Sequence, residues 1–174
     1  MRQILATELV KDKANAEKEL SQIIKGMIVT RFLKKTYDIE QLLLLYVPFA
    51  VMEFHVANAG KTKKARRMQD VYISMELGTG RMKSFTDLAD FGPREITLED
   101  KYVAYREPNL EHITETARKE LLFKILPKNL KAWREYDIDM RDCRIIYRPL
   151  WLMRYRVLGK KMRVYKTYGD HFNL

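Results

Sequence analysis

Cysteine is almost absent from this chain, and its scarcity limits the possible disulfides, metal sites and cellular compartment. Cys143 is the single cysteine among 174 residues, so no disulfide can form within the chain and no zinc site can rest on thiolates. A lone thiol agrees with a reducing compartment. We therefore expect a cytoplasmic protein that holds neither a metal nor another cofactor.

Glycine, proline and long apolar runs are also scarce. The chain has 7 glycines and 5 prolines, and 47% of its residues are hydrophobic, which excludes a disordered or low-complexity chain. The longest apolar run, residues 42–52, is too short to cross a bilayer. The first residues, MRQILATELVKDK, lack the apolar core and cleavage site of a secretory signal. We expect a single soluble domain over residues 1–174.

Groups that could catalyse a reaction are few and scattered. The three histidines, His55, His112 and His171, are far apart and none belongs to a metal-binding HxxxH or HExxH pair. Cys143 begins an apolar segment, where a cysteine is more often a packed side chain than a nucleophile. We predict no catalytic residue and no metal ligand. An enzyme acting on a small anionic substrate is therefore the least favoured class of function, behind two kinds of binding module.

The chain repeats itself. Three pairs of segments match in the same order at separations of 99 to 101 positions: YVPFAVMEFHV (46–56) with YRPLWLMRYRV (147–157), YDI (37–39) with YDI (136–138), and AEKEL (16–20) with ARKEL (117–121). Such agreement in order and spacing predicts an internal duplication, with one repeat at about 12–80 and the other at about 109–174. Residues of about 81–108 then form a connector, with a short strand near 95–98.

Each repeat begins with a helical pattern and continues into two strands. Apolar residues at three-and-four spacing predict an amphipathic helix in each copy, and Pro108 with Asn109 predicts the start of the second helix. They are Leu20, Ile23, Ile24, Met27, Ile28 and Phe32 in the first, and Ile113, Ala117, Leu121, Leu122 and Ile125 in the second. Pro48 and Pro149 predict strand starts or bulges, because proline cannot donate to a central ladder. The predicted fold is α+β, a duplicated helix–strand–strand unit whose two pseudo-repeats share one sheet with the helices packed on it.

The most basic segment is NAGKTKKARR, residues 58–67. Its five cations are Lys61, Lys63, Lys64, Arg66 and Arg67. At the tip of a hairpin they would follow a phosphate backbone and gain affinity from counterion release. The alternative is a solvated loop whose charge keeps the protein soluble. The GKT triplet at 60–62 is not a phosphate-binding loop, because His55 occupies the position where that motif requires glycine.

The second hairpin predicts a basic and aromatic face. A two-residue turn at Gly159 and Lys160 would place Arg156 opposite Arg163 and Arg154 opposite Tyr165. Two facing arginines repel each other unless something negative lies between them. That partner is either a phosphate of a nucleic acid, with Tyr165 stacking on a base, or an internal acid. The pattern puts Met162 and Val164 on the opposite, core face, and it makes Glu53 the candidate for the internal acid.

The charge balance narrows the class of partner. Lys plus Arg number 33 against 23 Asp plus Glu, a net charge of +10, which favours nucleic acid, acidic protein surfaces or anionic lipid. We predict a non-catalytic binding module that contacts nucleic acid or an acidic surface through the basic loop and the Arg154, Arg156, Arg163, Tyr165 face. The alternative is a structural or regulatory protein–protein module that is homodimeric, because residues 42–52 are apolar on both strand faces and need cover on both sides.

Overall fold

The chain mixes helices with a sheet. A computed structural model describes residues 1–26, 37–58, 68–85, 92–104, 108–125 and 136–171, and these contain seven strands of one sheet and two α-helices. The elements are β1 (Arg2–Ala6), α1 (Lys13–Gly26), β2 (Tyr37–Asn58), β3 (Met68–Glu76), β4 (Met82–Phe85), β5 (Arg94–Leu98), α2 (Leu110–Glu120), β6 (Tyr136–Val157) and β7 (Arg163–Tyr168). The predicted α+β class is confirmed at this level, and β5 is the short strand expected near 95–98. Neither described helix has the length and apolar character needed to cross a membrane.

Two compact units divide the chain. Unit 1 comprises Met1–Val47, Pro93–Ala104 and Tyr147–Leu174, and unit 2 comprises Pro48–Gly92 and Tyr105–Ile146. The boundaries fall inside β2 and β6, which are 22 residues long and contribute one end to each unit. Among the described strands, β6 pairs with β1 and β7 in unit 1, and β3 pairs with β2 and β4 in unit 2.

The two prolines lie in the middle of these long strands, not at strand starts. β2 begins at Tyr37 and β6 at Tyr136. Along β6, pairing to β1 ends at Tyr147 and pairing to β7 begins at Leu150. Pro149 therefore occupies the point where the neighbouring strand changes, and a missing N–H breaks no ladder there. The prediction of strand starts was wrong because this exchange of neighbours cannot be seen in the sequence.

Unit 1 is built around α1. The Asp12 carboxylate accepts the backbone N–H of Asn15 at 2.7 Å and caps the helix start. One stripe of the helix is completely buried against β6, with partly buried residues of β2 around it; its members are Ala16, Leu20 and Ile24. The predicted stripe is correct at Leu20 and Ile24, whereas Ile23 is 42% exposed. Its remaining members, Met27, Ile28 and Phe32, lie outside the described residues.

Unit 2 is built around α2. The carboxamide oxygen of Asn109 accepts the backbone N–H of His112 at 3.0 Å, so the predicted helix start is confirmed. Ile113, Ala117 and Leu121 are buried against the apolar residues of β2 and β3. The predicted stripe is thus correct at these three positions.

Both faces of β2 are covered where the strand runs through unit 2. Four consecutive residues are buried within a single copy of the chain, namely Phe49, Ala50, Val51 and Met52. At these four positions the chain itself supplies the cover that the apolar run was expected to need. Nearer the start of the strand the cover is incomplete, because Leu43 is 38% exposed.

Candidate anion-binding hairpin

The register of the second hairpin differs from the predicted one by one residue. Met153 pairs with Tyr165 and Arg154 with Val164, so the predicted opposition of Arg154 to Tyr165 and of Arg156 to Arg163 is wrong. The turn lies over Leu158 (φ 52°) and Gly159 (φ 67°). The sequence pointed to Gly159 and Lys160 instead, because a leucine rarely adopts positive φ.

A slip of one residue moves every side chain of β7 to the other face of the sheet. Tyr165 and Thr167 consequently lie on the inner face of the hairpin, beside Trp151 and Met153. The helix α1 covers this face. Val164 was predicted to lie in the core, and it is 53% exposed. The predicted face of Arg154, Arg156, Arg163 and Tyr165 is therefore divided between the two sides of the hairpin.

The outer face of the hairpin is basic and aliphatic. Arg154, Arg156 and Lys166 are exposed there beside Val164. Lys160, Lys161 and Arg163 are exposed at the end of the hairpin. From Leu150 to Tyr168 the sequence has these six cations and no acidic residue. We call the hairpin from Leu150 to Tyr168 the basic hairpin. Its six cations are Arg154, Arg156, Lys160, Lys161, Arg163 and Lys166.

One cation of the basic hairpin has an internal partner. The Arg156 guanidinium donates from Nε to the Glu40 carboxylate of β2, and both side chains are close to half exposed. An internal acid was one of the two predicted alternatives, and it applies to Arg156, with Glu40 in place of Glu53. Glu53 instead lies opposite Tyr72 in the β2–β3 ladder.

Tyr165 belongs to a polar network under α1. Lys11 Nζ donates to Glu19 Oε2 at 2.5 Å and to Thr167 Oγ1 at 2.8 Å. Burial and the adjacent Glu19 carboxylate raise the pKa of Tyr165 to about 12. Burial also acts to raise the pKa of Glu19, but hydrogen bonds from Lys11, Tyr165 and Thr167 outweigh it and leave that pKa below its ordinary value. Tyr165 therefore fixes the hairpin to the helix.

A buried ion pair that was not among the sequence-based predictions holds the base of the hairpin. Arg148 is completely buried, and Nε and Nη2 each donate to a different oxygen of Asp170 at 2.7 Å. The Thr7 hydroxyl donates to the same carboxylate at 2.8 Å, and the guanidinium lies 4.1 Å from the centre of the Tyr168 ring. The sequence did contain a signal for this buried arginine. Arg148 interrupts the apolar segment YRPLWLM at the position where the first repeat has Val47.

Backbone contacts tie the N-terminal segment to the same end of the hairpin. The Gly169 carbonyl accepts the N–H groups of Val10 at 2.8 Å and Lys11 at 2.7 Å, and the Trp151 indole donates to the Lys11 carbonyl at 2.8 Å. A Cβ on Gly169 would come within 2.5 Å of the Leu9 side chain, so glycine permits this close approach. The outer face is thus presented by a tightly fixed hairpin.

The other predicted functional residues form no catalytic arrangement in the described part of the chain. His55 Nδ1 lies 2.8 Å from Asp70 Oδ1, and the hydrogen bond to His55 lowers the pKa of Asp70. Burial raises the pKa of the Cys143 thiol, which packs against the core of unit 2. Within the described residues no group of three or more His, Cys, Asp or Glu could hold a metal ion.

The predicted basic loop belongs to the segment between β2 and β3. These two strands pair antiparallel from Phe49↔Glu76 to Ala57↔Met68. The five cations themselves lie outside the described residues; they are Lys61, Lys63, Lys64, Arg66 and Arg67.

Comparison of the chain with protein-family models, with curated proteins and with solved structures gives no match.

Proposed function

We propose that this protein is a non-catalytic binding module whose basic hairpin contacts a polyanionic partner. The main support for this proposal is the segregation of charge. The hairpin from Leu150 to Tyr168 has six exposed cations and no acidic residue. Cations that serve solubility alone are typically interspersed with acids. A surface of one sign raises the local concentration of an oppositely charged ligand and speeds its association.

Among the described residues, the ion pairs made by acids near the hairpin do not include Arg154 or Lys166. Glu40 neutralises Arg156, while Glu19 and Asp170 are engaged by the non-hairpin cations Lys11 and Arg148. Arg154 and Lys166 remain exposed on the outer face. Because Arg154 pairs with Val164, Lys166 is its diagonal neighbour, at roughly 7–8 Å in ladder geometry. This fixed pair is the centre of the proposed contact.

The basic loop belongs to the proposal on its charge alone. Lys61, Lys63, Lys64, Arg66 and Arg67 make it the most basic segment of the sequence. A second basic segment adds to the affinity for a long polyanion when both are engaged, because the second contact is then intramolecular.

Internal duplication remains part of the proposal, and matched backbone contacts in β2 and β6 support it. Four carbonyls at corresponding positions accept bonds in the same pattern: Tyr46 from Ala104 at 2.9 Å, Tyr147 from Thr7 at 3.0 Å, Pro48 from Leu77 at 3.1 Å and Pro149 from Gly169 at 2.8 Å. Each proline thus follows a pairing to one neighbour and precedes a pairing to another. The segment between β2 and β3 and the segment between β6 and β7 then correspond to each other in the two repeats.

The helices support the duplication at a slightly different spacing. The capping residues Asp12 and Asn109 are 97 positions apart, whereas Pro48 and Pro149 are 101 apart, so the second repeat is four residues longer between helix and strand. In unit 1, α1 packs on β6, and in unit 2, α2 packs on β2 and β3. Each helix therefore covers the hairpin that follows the other helix, as in a domain exchange within one chain.

Charge-matched variants test the proposed function. R154Q/K166Q removes two cations from the outer face, and K18Q/K25Q removes two exposed cations from α1, which covers the opposite, inner face. On a heparin column we expect R154Q/K166Q to elute at clearly lower salt than the wild type, and K18Q/K25Q to elute close to it. Equal shifts for the two variants would assign retention to net charge and defeat the proposal.

A further inference from the structure

The aromatic side chains of the basic hairpin are engaged elsewhere. Trp151 and Tyr155 are 7% and 5% exposed and pack with α1. Tyr165 is hydrogen bonded to Glu19 on the same inner face. Tyr168 is stacked against the buried Arg148 guanidinium. Two of the four are buried and two are partly buried, so none is a fully exposed ring beside the cations.

The position best placed for a stacking residue carries an aliphatic one. Val164 lies on the outer face opposite Arg154 and is 53% exposed. Proteins that bind single-stranded nucleic acid stack successive bases on exposed aromatic rings and combine this with cations along the backbone. Among the described residues, the outer face has exposed cations but no fully exposed ring, because Tyr168 on this face is partly buried and stacked against Arg148. It can therefore hold phosphates but offers unpaired bases no open stacking platform.

A partly buried pair of aromatic rings in unit 2 does not replace the missing platform. Tyr72 and Phe85 stack with their centres 5.6 Å apart. Glu53 lies directly opposite Tyr72, and Asp70 lies on the same face of β3. These carboxylates repel a phosphate backbone at the place where its bases would stack.

Charge density also favours a duplex. Duplex DNA carries one negative charge per roughly 1.7 Å of axis, twice the density of one of its strands. Its phosphates are already ordered, whereas a flexible single strand loses conformational entropy when it is laid along a rigid sheet face. Arg154 and Lys166 project from paired strands, so the backbone positions from which these cations reach the phosphates are fixed, and less ordering is needed on both sides of the contact.

We infer that the polyanion is a nucleic acid duplex, held through its phosphate backbone without preference for sequence. This inference rests on the proposed function and names its ligand. An acidic protein surface is the rival ligand, and the experiment has a separate arm for it.

Fluorescence anisotropy with four labelled probes tests the inference at one low salt concentration. The probes are two duplexes of 20 base pairs with unrelated sequences, one of their component single strands, and a poly-glutamate peptide. We expect equal affinity for the two duplexes and at least tenfold weaker binding of the single strand and of poly-glutamate. A single strand or poly-glutamate that binds as tightly as the duplexes would overturn the inference while heparin retention keeps the proposed function. Failure to bind heparin and every probe would defeat both.

A gain-of-function variant tests whether the lack of an exposed aromatic ring is the cause of the weak single-strand binding. V164W places an aromatic side chain on the outer face, and K18W places the same side chain on the exposed surface of α1. We expect V164W to strengthen single-strand binding about tenfold, as one stacked base would, with little change in duplex affinity, and K18W to change neither. If V164W left single-strand binding unchanged while both variants remained folded by circular dichroism, the inference would be wrong.

Discussion

Tyr165 lies directly opposite Met153 and is hydrogen bonded to the Glu19 carboxylate under α1. This single pairing decides which side chains the hairpin shows to a partner. It removes from the proposed contact the one aromatic residue that the sequence had placed there. It also leaves an outer face made of Arg154, Arg156, Val164 and Lys166.

Replacing Tyr165 by phenylalanine separates a structural role from a binding role. Y165F keeps the ring and removes the hydroxyl that bonds to Glu19, so we expect a loss of about 1–2 kcal/mol in the free energy of unfolding. Heparin retention stays at the wild-type value. Urea unfolding and the column together check this. Reduced heparin retention with unchanged stability would show instead that Tyr165 contacts the ligand.

The lowered pKa of Glu19 should make the stability of the fold depend on pH. Its pKa in the folded protein is below the ordinary value of 4.5, because hydrogen bonds from Lys11, Tyr165 and Thr167 outweigh the effect of burial. The ionised carboxylate therefore stabilises the fold fully above pH 4.5, and the contribution is lost as the pH falls through the lowered pKa.

The measurement is urea unfolding of the wild type and E19Q at pH 7 and at pH 3. We expect E19Q to be less stable at pH 7 and the difference to shrink at pH 3. E17Q is the control on the same helix, since Glu17 pairs with the exposed Lys13 at 3.9 Å, and it should change stability little at either pH. A difference for E19Q that is constant with pH would contradict the assignment.

Breaking the buried pair at the base of the hairpin should be costly. D170N leaves the completely buried Arg148 without its counter-charge, so we expect a loss of about 3–5 kcal/mol in the free energy of unfolding. Thermal and urea unfolding measure it. The control is E99Q, which breaks the exposed pair of Glu99 with Lys101 and should leave stability nearly unchanged. Equal effects of the two variants would contradict a structural role for the Arg148–Asp170 pair.

Removing the internal partner of Arg156 should strengthen binding. E40Q frees Arg156 on the outer face and allows one more phosphate contact. For duplex DNA the slope of log K against log salt should then steepen by about 1. E17Q changes the net charge by the same amount from α1 and should leave the slope unchanged. An unchanged slope for E40Q would show that Arg156 does not reach the ligand.

The sequence predicted the helix features that depend on local chemistry. Asn109 is the cap of α2, and the stripe of Ile113, Ala117 and Leu121 is buried as its spacing indicated. Such features need no knowledge of distant residues, because a cap and an apolar stripe are set within a few turns. The alternation of Trp151 and Met153 likewise identified the core face of β6 correctly.

The failures arose where distant parts of the chain decide the outcome. The turn passes through Leu158 at positive φ, a conformation that sequence preferences place on glycine, so the register of β7 was predicted one residue away. Pro149 is tolerated within β6 because the neighbouring strand changes there. The Arg148–Asp170 pair joins residues 22 positions apart. Neither turn propensity nor periodicity contains this information.

The most direct test of the central claim is the salt dependence of duplex DNA binding by the wild type, R154Q/K166Q and K18Q/K25Q. If the outer face of the basic hairpin carries the contact, the slope of log K against log salt becomes shallower by about 2 for R154Q/K166Q, at roughly 0.9 per lost phosphate contact. K18Q/K25Q keeps the wild-type slope. Equal slopes for all three proteins, or equal losses in the two variants, would contradict the claim that this face is the binding site.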